Sequence, residues 1–165
     1  MDVDWARLAV DAGARDTAVG GDRLARRAAE MLIGADVIDA AVDAVLGGGE
    51  GSELALSLLM LLRSERASAR AIAIYRSSSG DRASSAAALV ARIAAPGAAA
   101  VVEALLADDD TAGWGVDLLE RLIVRQGIDD DDAARLGEIV RRHPSERIRA
   151  EIARIESAFD RRWWS

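Results

Sequence analysis

The stretch Asp81-Arg82-Ala83-Ser84-Ser85-Ala86-Ala87-Ala88-Leu89-Val90-Ala91-Arg92-Ile93-Ala94-Ala95-Pro96-Gly97 decides how this chain is read. Ala86, Leu89, Val90 and Ile93 recur at three- and four-residue steps, the spacing of one face of an α-helix. Pro96-Gly97 then ends the helix, because proline breaks the backbone ladder and glycine accepts a turn. Val101, Val102, Leu105 and Leu106 resume the same period. Asp108-Asp109-Asp110-Thr111 closes the second helix. The unit is therefore two short helices joined by a tight turn.

The same pattern extends in both directions. Toward the N-terminus lie stripes at Leu24, Ala28, Met31 and Leu32, then at Val37, Ile38, Ala41, Val42, Val45 and Leu46. Leu54, Leu58, Leu59, Leu61 and Leu62 follow, and after them Ile72, Ile74 and Tyr75. Toward the C-terminus lie Val116, Leu118, Leu119, Leu122 and Ile123, then Leu136, Ile139 and Val140, then Ile148, Ile152, Ile155 and Phe159. Breaks fall at Gly34, at Gly47-Gly48-Gly49, at Ser77 to Asp81, at Gly127-Ile128-Asp129 and at Pro144-Ser145-Glu146. Leu58, Leu89 and Leu118 occupy like positions, 31 and 29 residues apart, and Leu62, Ile93 and Leu122 repeat both intervals. A period of about 30 residues with two helices per unit predicts a solenoid, in which stacking buries faces that no single hairpin can cover.

Composition narrows the chemistry. The chain has 165 residues, no cysteine, one histidine and a net charge of −7, and all 21 of its cations are arginine. Absence of cysteine excludes disulfides, thiolate nucleophiles and cysteine metal sites. One histidine excludes multi-histidine metal sites. No cofactor and no metal is expected. The longest apolar run, Leu58 to Leu62, is far shorter than the ~20 residues of a membrane span. The start, Met-Asp-Val-Asp-Trp, lacks a basic n-region, so a cytoplasmic protein without membrane attachment is expected. The acidic balance opposes nucleic-acid binding, which requires surplus cations.

In the quoted stretch, Asp81, Arg82, Ser85, Ala86, Leu89, Ile93, Pro96 and Gly97 match a short HEAT-type repeat, the kind of about 30 residues named for phycobilisome lyase proteins. Val101, Val102, Leu105, Leu106 and Asp108 continue the match. The next unit departs from it, with Thr111 in the arginine position and Trp114 in a small-residue position. The resemblance covers Asp22 to Ile155 and is specific in the middle. It implies an all-α fold, a right-handed α-solenoid of about four HEAT-like hairpins. Residues 1–21 are expected as an N-terminal cap, 22–155 as repeats and 156–165 as a C-terminal cap and tail, all one domain. The core is expected at Leu58, Leu62, Leu89, Ile93, Val102, Leu105, Leu118 and Leu122.

The family spans enzymes, adaptors and inhibitors, so the resemblance implies no single activity. Its hydroxylases use paired His-Glu metal motifs, which this sequence lacks, and nothing marks a bilin site. Its DNA glycosylases act through a carboxylate, tryptophan and arginine, for which Trp114, Asp117 and Arg121 would be the candidates. The leading expectation is a non-catalytic protein-binding module, a small bacterial adaptor or an immunity-type inhibitor of a basic partner.

The partner-binding candidates are Trp114, Trp164 and two acidic clusters, Asp108 to Asp110 and Asp129 to Asp132. One carboxylate of each cluster is expected to cap a helix N-terminus. The surplus carboxylates would meet the basic partner, although the two clusters should lie on opposite edges of the stack. Gly113 and Gly115 flank Trp114 and suggest a close approach by a helix or a ligand. His143 is expected at the surface or as a helix cap. Arg26, Arg27, Arg63, Arg66, Arg70, Arg76, Arg82 and Arg92 form an N-terminal basic strip that salt bridges would neutralise. Gly47 to Gly51 is read as a link, since a phosphate loop requires a lysine. Trp5 and Trp163 are read as end caps, and the terminal hairpins as a route to a homodimer.

Overall fold

The computed structural model describes residues 23–125 and 127–158. Among them there are nine helices and no strand, so the fold is all-α. The expectations placed on Trp5, Phe159, Trp163, Trp164 and most of both caps lie outside the described residues. The chain divides into two compact units, Met1–Ile93 and Ala94–Ser165.

The first unit holds α1 (Arg23–Ile33), α2 (Ala35–Gly47), α3 (Ser52–Leu62), α4 (Glu65–Ser77) and α5 (Gly80–Ile93). Its breaks follow local chemistry. Gly34 separates α1 from α2 at φ +95°, and Gly48 ends α2 in the left-handed region at φ +63°. Such angles cost glycine nothing and other residues about 1 kcal/mol or more. One break has no glycine. Arg63 ends α3 at φ +48°, and the Ser64 side chain accepts the Ala67 N–H at 2.9 Å to cap α4. Ala94 follows the end of α5 in the same conformation, at φ +47°.

α2 packs against α3, and α4 against α5. Each pair is tied to the next through contacts between helices one further along the chain, α1 with α3, α2 with α4 and α3 with α5. Ile38, Leu58, Leu59, Leu89 and Ile93 are fully buried between them. Each such side chain contributes roughly 1.5–3 kcal/mol. Alanines at 41, 55, 67, 71, 86 and 87 are fully buried as well.

The second unit holds α6 (Ala99–Leu106), α7 (Ala112–Val124), α8 (Asp130–Arg141) and α9 (Glu146–Ala158). α6 packs most extensively on α7, with α6 also meeting α8, and α7 meeting α9. Val102, Leu105, Leu118, Leu119, Leu122, Leu136, Ile148 and Ile155 fill its core. All eight core residues expected from the sequence, across the two units, are buried.

Cross-helix ion pairs follow the same next-but-one rule. Arg66 donates to both oxygens of Asp39, at 2.9 and 2.6 Å, and Arg70 to both oxygens of Asp43, at 2.8 and 2.7 Å, joining α4 to α2. In the second unit Arg135 reaches Glu103 at 2.7 Å and Arg154 reaches Glu120 at 2.7 Å. Ser64 donates to the Glu30 carboxylate, which ties the start of α4 to α1.

Two sequence expectations are corrected. Met31 and Leu32, assigned to a core stripe, are 77% and 73% exposed. The inward face of α1 carries Ala29 and the Glu30 that binds Ser64, which turns Met31 and Leu32 outward. His143 is not on the surface, since only 6% of it is exposed.

Candidate functional site

The N-terminal corner of α7 gathers several of the residues that the sequence singled out. Its geometry starts with the loop Ala107 to Thr111, which turns on backbone and side-chain hydrogen bonds. The Asp108 carboxylate accepts the Asp110 N–H at 3.0 Å, and the Asp108 carbonyl accepts the N–H groups of Thr111 and Ala112 at 3.0 and 2.8 Å. The Thr111 hydroxyl is buried and donates back to the Leu105 carbonyl at 2.9 Å. This corrects the capping expectation for the first cluster. The N-cap residue of α7 is Thr111, and its hydroxyl is spent on Leu105 and not on the helix's own N–H groups.

His143 locks the same corner from below. Ser145 N–H donates to its Nδ1 at 3.2 Å, so Nε2 carries the hydrogen that meets the Leu106 carbonyl, also at 3.2 Å. Leu106 ends α6, whose last carbonyls lack helical partners, so His143 satisfies one of them from the α8–α9 turn. Its sequence expectation was half right: it is a cap, but a buried one serving another helix. Asp109 approaches Nε2 at 3.7 Å while remaining largely exposed. Arg149 completes the turn by donating to the carbonyls of His143 and Pro144 at 2.6 and 2.7 Å.

Trp114 stands one turn into α7, half-buried. The glycine beside it answers to a neighbouring helix. A Cβ on Gly115 would lie 3.0 Å from Leu106 Cγ and 3.2 Å from Leu105 Cβ, so the approach of α6 requires glycine there. Gly113 is different, because a Cβ there would meet only the Arg147 guanidinium, at 3.8 Å and beyond.

The second acidic cluster lies at the other end of α7. Asp129 caps α8, its Oδ1 accepting the Asp132 N–H at 2.8 Å. Asp132 in turn pairs with Arg135 at 3.0 Å. Asp130 and Asp131 remain exposed in the first turn of α8, where the helix dipole favours them. Gly97 N–H donates to the Gly127 carbonyl at 3.0 Å, so the loop before α6 and the loop before α8 share one edge. His143 and Leu106 join the opposite one. Thirteen residues of α7 separate the two clusters, about 20 Å at 1.5 Å per residue. They do not form one patch.

Several of the remaining candidates are held in salt bridges. Asp117 pairs with Arg121 at 3.4 Å, one turn along α7. Arg66 and Arg70 of the N-terminal strip are paired with Asp39 and Asp43. Among the described residues no group of three or more histidines or acids is placed to hold a metal ion, and no helix is long and apolar enough to cross a membrane. The partner that His143 caps could not be read from the sequence, because Leu106 lies 37 residues away. No family model, curated protein or solved structure matches the chain.

Proposed function

We propose that the chain is a non-catalytic protein-binding module of HEAT-like helical hairpins that receives a basic protein at the N-terminal corner of α7. The observation that carries this is the meeting of exposed acids and a half-buried tryptophan on a braced turn. Asp109 and Asp110 are exposed, Trp114 follows within one helical turn, and Thr111 and His143 hold the backbone beneath them. A rigid aromatic anchor beside acceptor-only groups suits a partner that offers arginine or lysine. The repeat reading is supported by next-but-one helix contacts and by ion pairs that bridge 27 to 34 residues.

The two acidic ends of α7 make separable tests. A partner retained by the tagged full-length protein is titrated against three proteins at low salt. Charge reversal at Asp109 and Asp110 is expected to weaken binding at least about tenfold, and reversal at Asp130 and Asp131 much less. Equal affinity for the Asp109/Asp110 variant and the parent protein rejects this site.

The glycosylase alternative would use Trp114, Asp117 and Arg121. It requires a cationic groove, and the chain carries −7. Duplex-DNA binding at low salt separates the readings, and none is expected.

A further inference from the structure

We propose that α1 is a hinged arm: in a second conformation Gly34 turns helical, α1 swings off α3, and one straight helix runs from Arg23 to Gly47. The bond between Ser64 and Glu30 is the latch that keeps the arm bent. The inference does not depend on the proposed partner site, which lies in the second unit.

The arm is held lightly. Among residues 26–33, Ala29 alone is buried. By contrast α2 buries Ile38, Ala41 and Val42, and α3 buries Ala55, Leu56, Leu58, Leu59 and Leu62. Elements that bury little open at low cost while the rest of a domain stays folded. The Ser64 hydroxyl, donating to the Glu30 carboxylate, ties α1 to the start of α4.

The joint favours straightening. One residue, Gly34, stands between α1 and α2, at φ +95° and ψ +149°, a conformation that residues with a side chain rarely adopt. Its N–H donates to the Glu30 carbonyl at 3.0 Å, and its carbonyl accepts the Ile38 N–H at 3.3 Å. Both bonds join residue i to residue i−4, as in a continuous helix. Straightening keeps them. It also offers the carbonyls of Met31, Leu32 and Ile33 to the N–H groups of Ala35, Asp36 and Val37, which open α2. A Cβ at Gly34 would meet nothing within 4 Å, so the joint has room. Against this the bent form sets the Glu30–Ser64 bond, the cover over Ala29 and the poor helix propensity of glycine.

The sequence carries the period of the straight form. Ala28, Met31, Ala35, Ile38, Val42 and Val45 follow one another at alternating steps of three and four, with no break in register at Gly34. That is one face of one helix. In the bent form the face is divided: Ile38 and Val42 are buried and Val45 half-buried, while Ala28, Met31 and Ala35 are exposed. Hinges of this kind need only one residue that can absorb a large change in φ and ψ.

The chain has no cysteine, so introduced pairs take spin labels at those positions alone. Ala28→Cys with Ala69→Cys, both at exposed positions, reports the distance from α1 to α4. Ala40→Cys with Ala69→Cys reports the distance from α2 to α4 and serves as the reference. The parent is expected to show one dominant α1–α4 distance, that of the bent form. Glu30→Ala removes the latch but spares the Ser64 cap, and is expected to raise the population at a second distance about tenfold. Gly34→Ala opposes the bend and favours the helix, and is expected to make that second distance dominant at unchanged or higher helicity. The α2–α4 distance is expected to be the same in all three proteins. An α1–α4 distance unmoved by either substitution overturns the proposal. So does a broad distribution with lost helicity, because α1 would then melt and not straighten. A shift in the α2–α4 distance overturns it too, since the arm would not be moving alone.

Discussion

Ser64 performs two tasks with one hydroxyl. It accepts the Ala67 N–H, capping α4, and donates to Glu30 on α1 while only 1% exposed. Removing it leaves an uncapped helix and a carboxylate short of a donor. Ser64→Ala is expected to destabilise the protein by about 2–3 kcal/mol in urea unfolding. Ser64→Asp separates the tasks, since it can cap but sets a second carboxylate against Glu30. It is expected to be no better than alanine, and a variant as stable as the parent would show that Glu30 contributes nothing. The sequence carried a signal here, serine followed by an acid, but the leucine-rich stretch Leu54 to Leu62 before it obscured it. A left-handed arginine at position 63 then made the turn where glycine would have announced it. Met31 and Leu32 were misread for a related reason. Periodicity identifies a stripe without saying which side is covered, and in an alanine-rich helix the contrast between faces is weak.

At the level of the element, helix α7 shows what an apolar pattern makes visible and what it leaves out. The apolar positions Leu118 and Leu122 were legible because they recur at helical spacing, and both are buried. The two glycines around Trp114 looked equivalent, and the structure separates them. At Gly115 an added methyl meets Leu106 and Leu105 at 3.0 to 3.2 Å. At Gly113 it meets only a flexible guanidinium. Both substitutions to alanine raise helix propensity by about 1 kcal/mol. Only Gly115→Ala also overpacks a core contact, at a cost of about 1–3 kcal/mol. The expected outcomes in denaturant therefore differ in sign: Gly113→Ala stabilises, and Gly115→Ala destabilises. If both stabilise, the α6–α7 approach is looser than described. The acidic clusters behave similarly. Composition marked them as caps, but Thr111 and Asp108 divide the work at α7 in a way that only the path of the loop decides.

For the whole molecule the decisive quantity is how its charges are paired. All 21 cations are arginines, which stay charged at any accessible pH, so acid acts mainly through the carboxylates. The Arg66 guanidinium donates to the Asp39 carboxyl and holds it below the ordinary aspartate range, with the charges of Arg66 and Arg70 adding to this and burial opposing it. Arg141, and then Arg142, act likewise on Glu138 in the second unit. A lowered folded-state value means that the unfolded chain takes up the proton first. The stability from these groups is therefore fully present above the ordinary carboxyl values and is lost as pH falls through the lowered ones. Below that window the chain holds its cations with few anions left, and self-repulsion adds to the loss. Urea midpoints followed from about pH 7 to about pH 3 are expected to be flat at first and then to fall. Asp39→Asn is expected to be less stable near neutrality but to lose less on acidification, so its curve approaches that of the parent in acid. Glu138→Gln should behave the same way. Because these groups are near the surface, added salt should narrow the gap between each variant and the parent at neutral pH. Parallel acid profiles for parent and Asp39→Asn would mean that the α2–α4 ion pairs hold no free energy in solution.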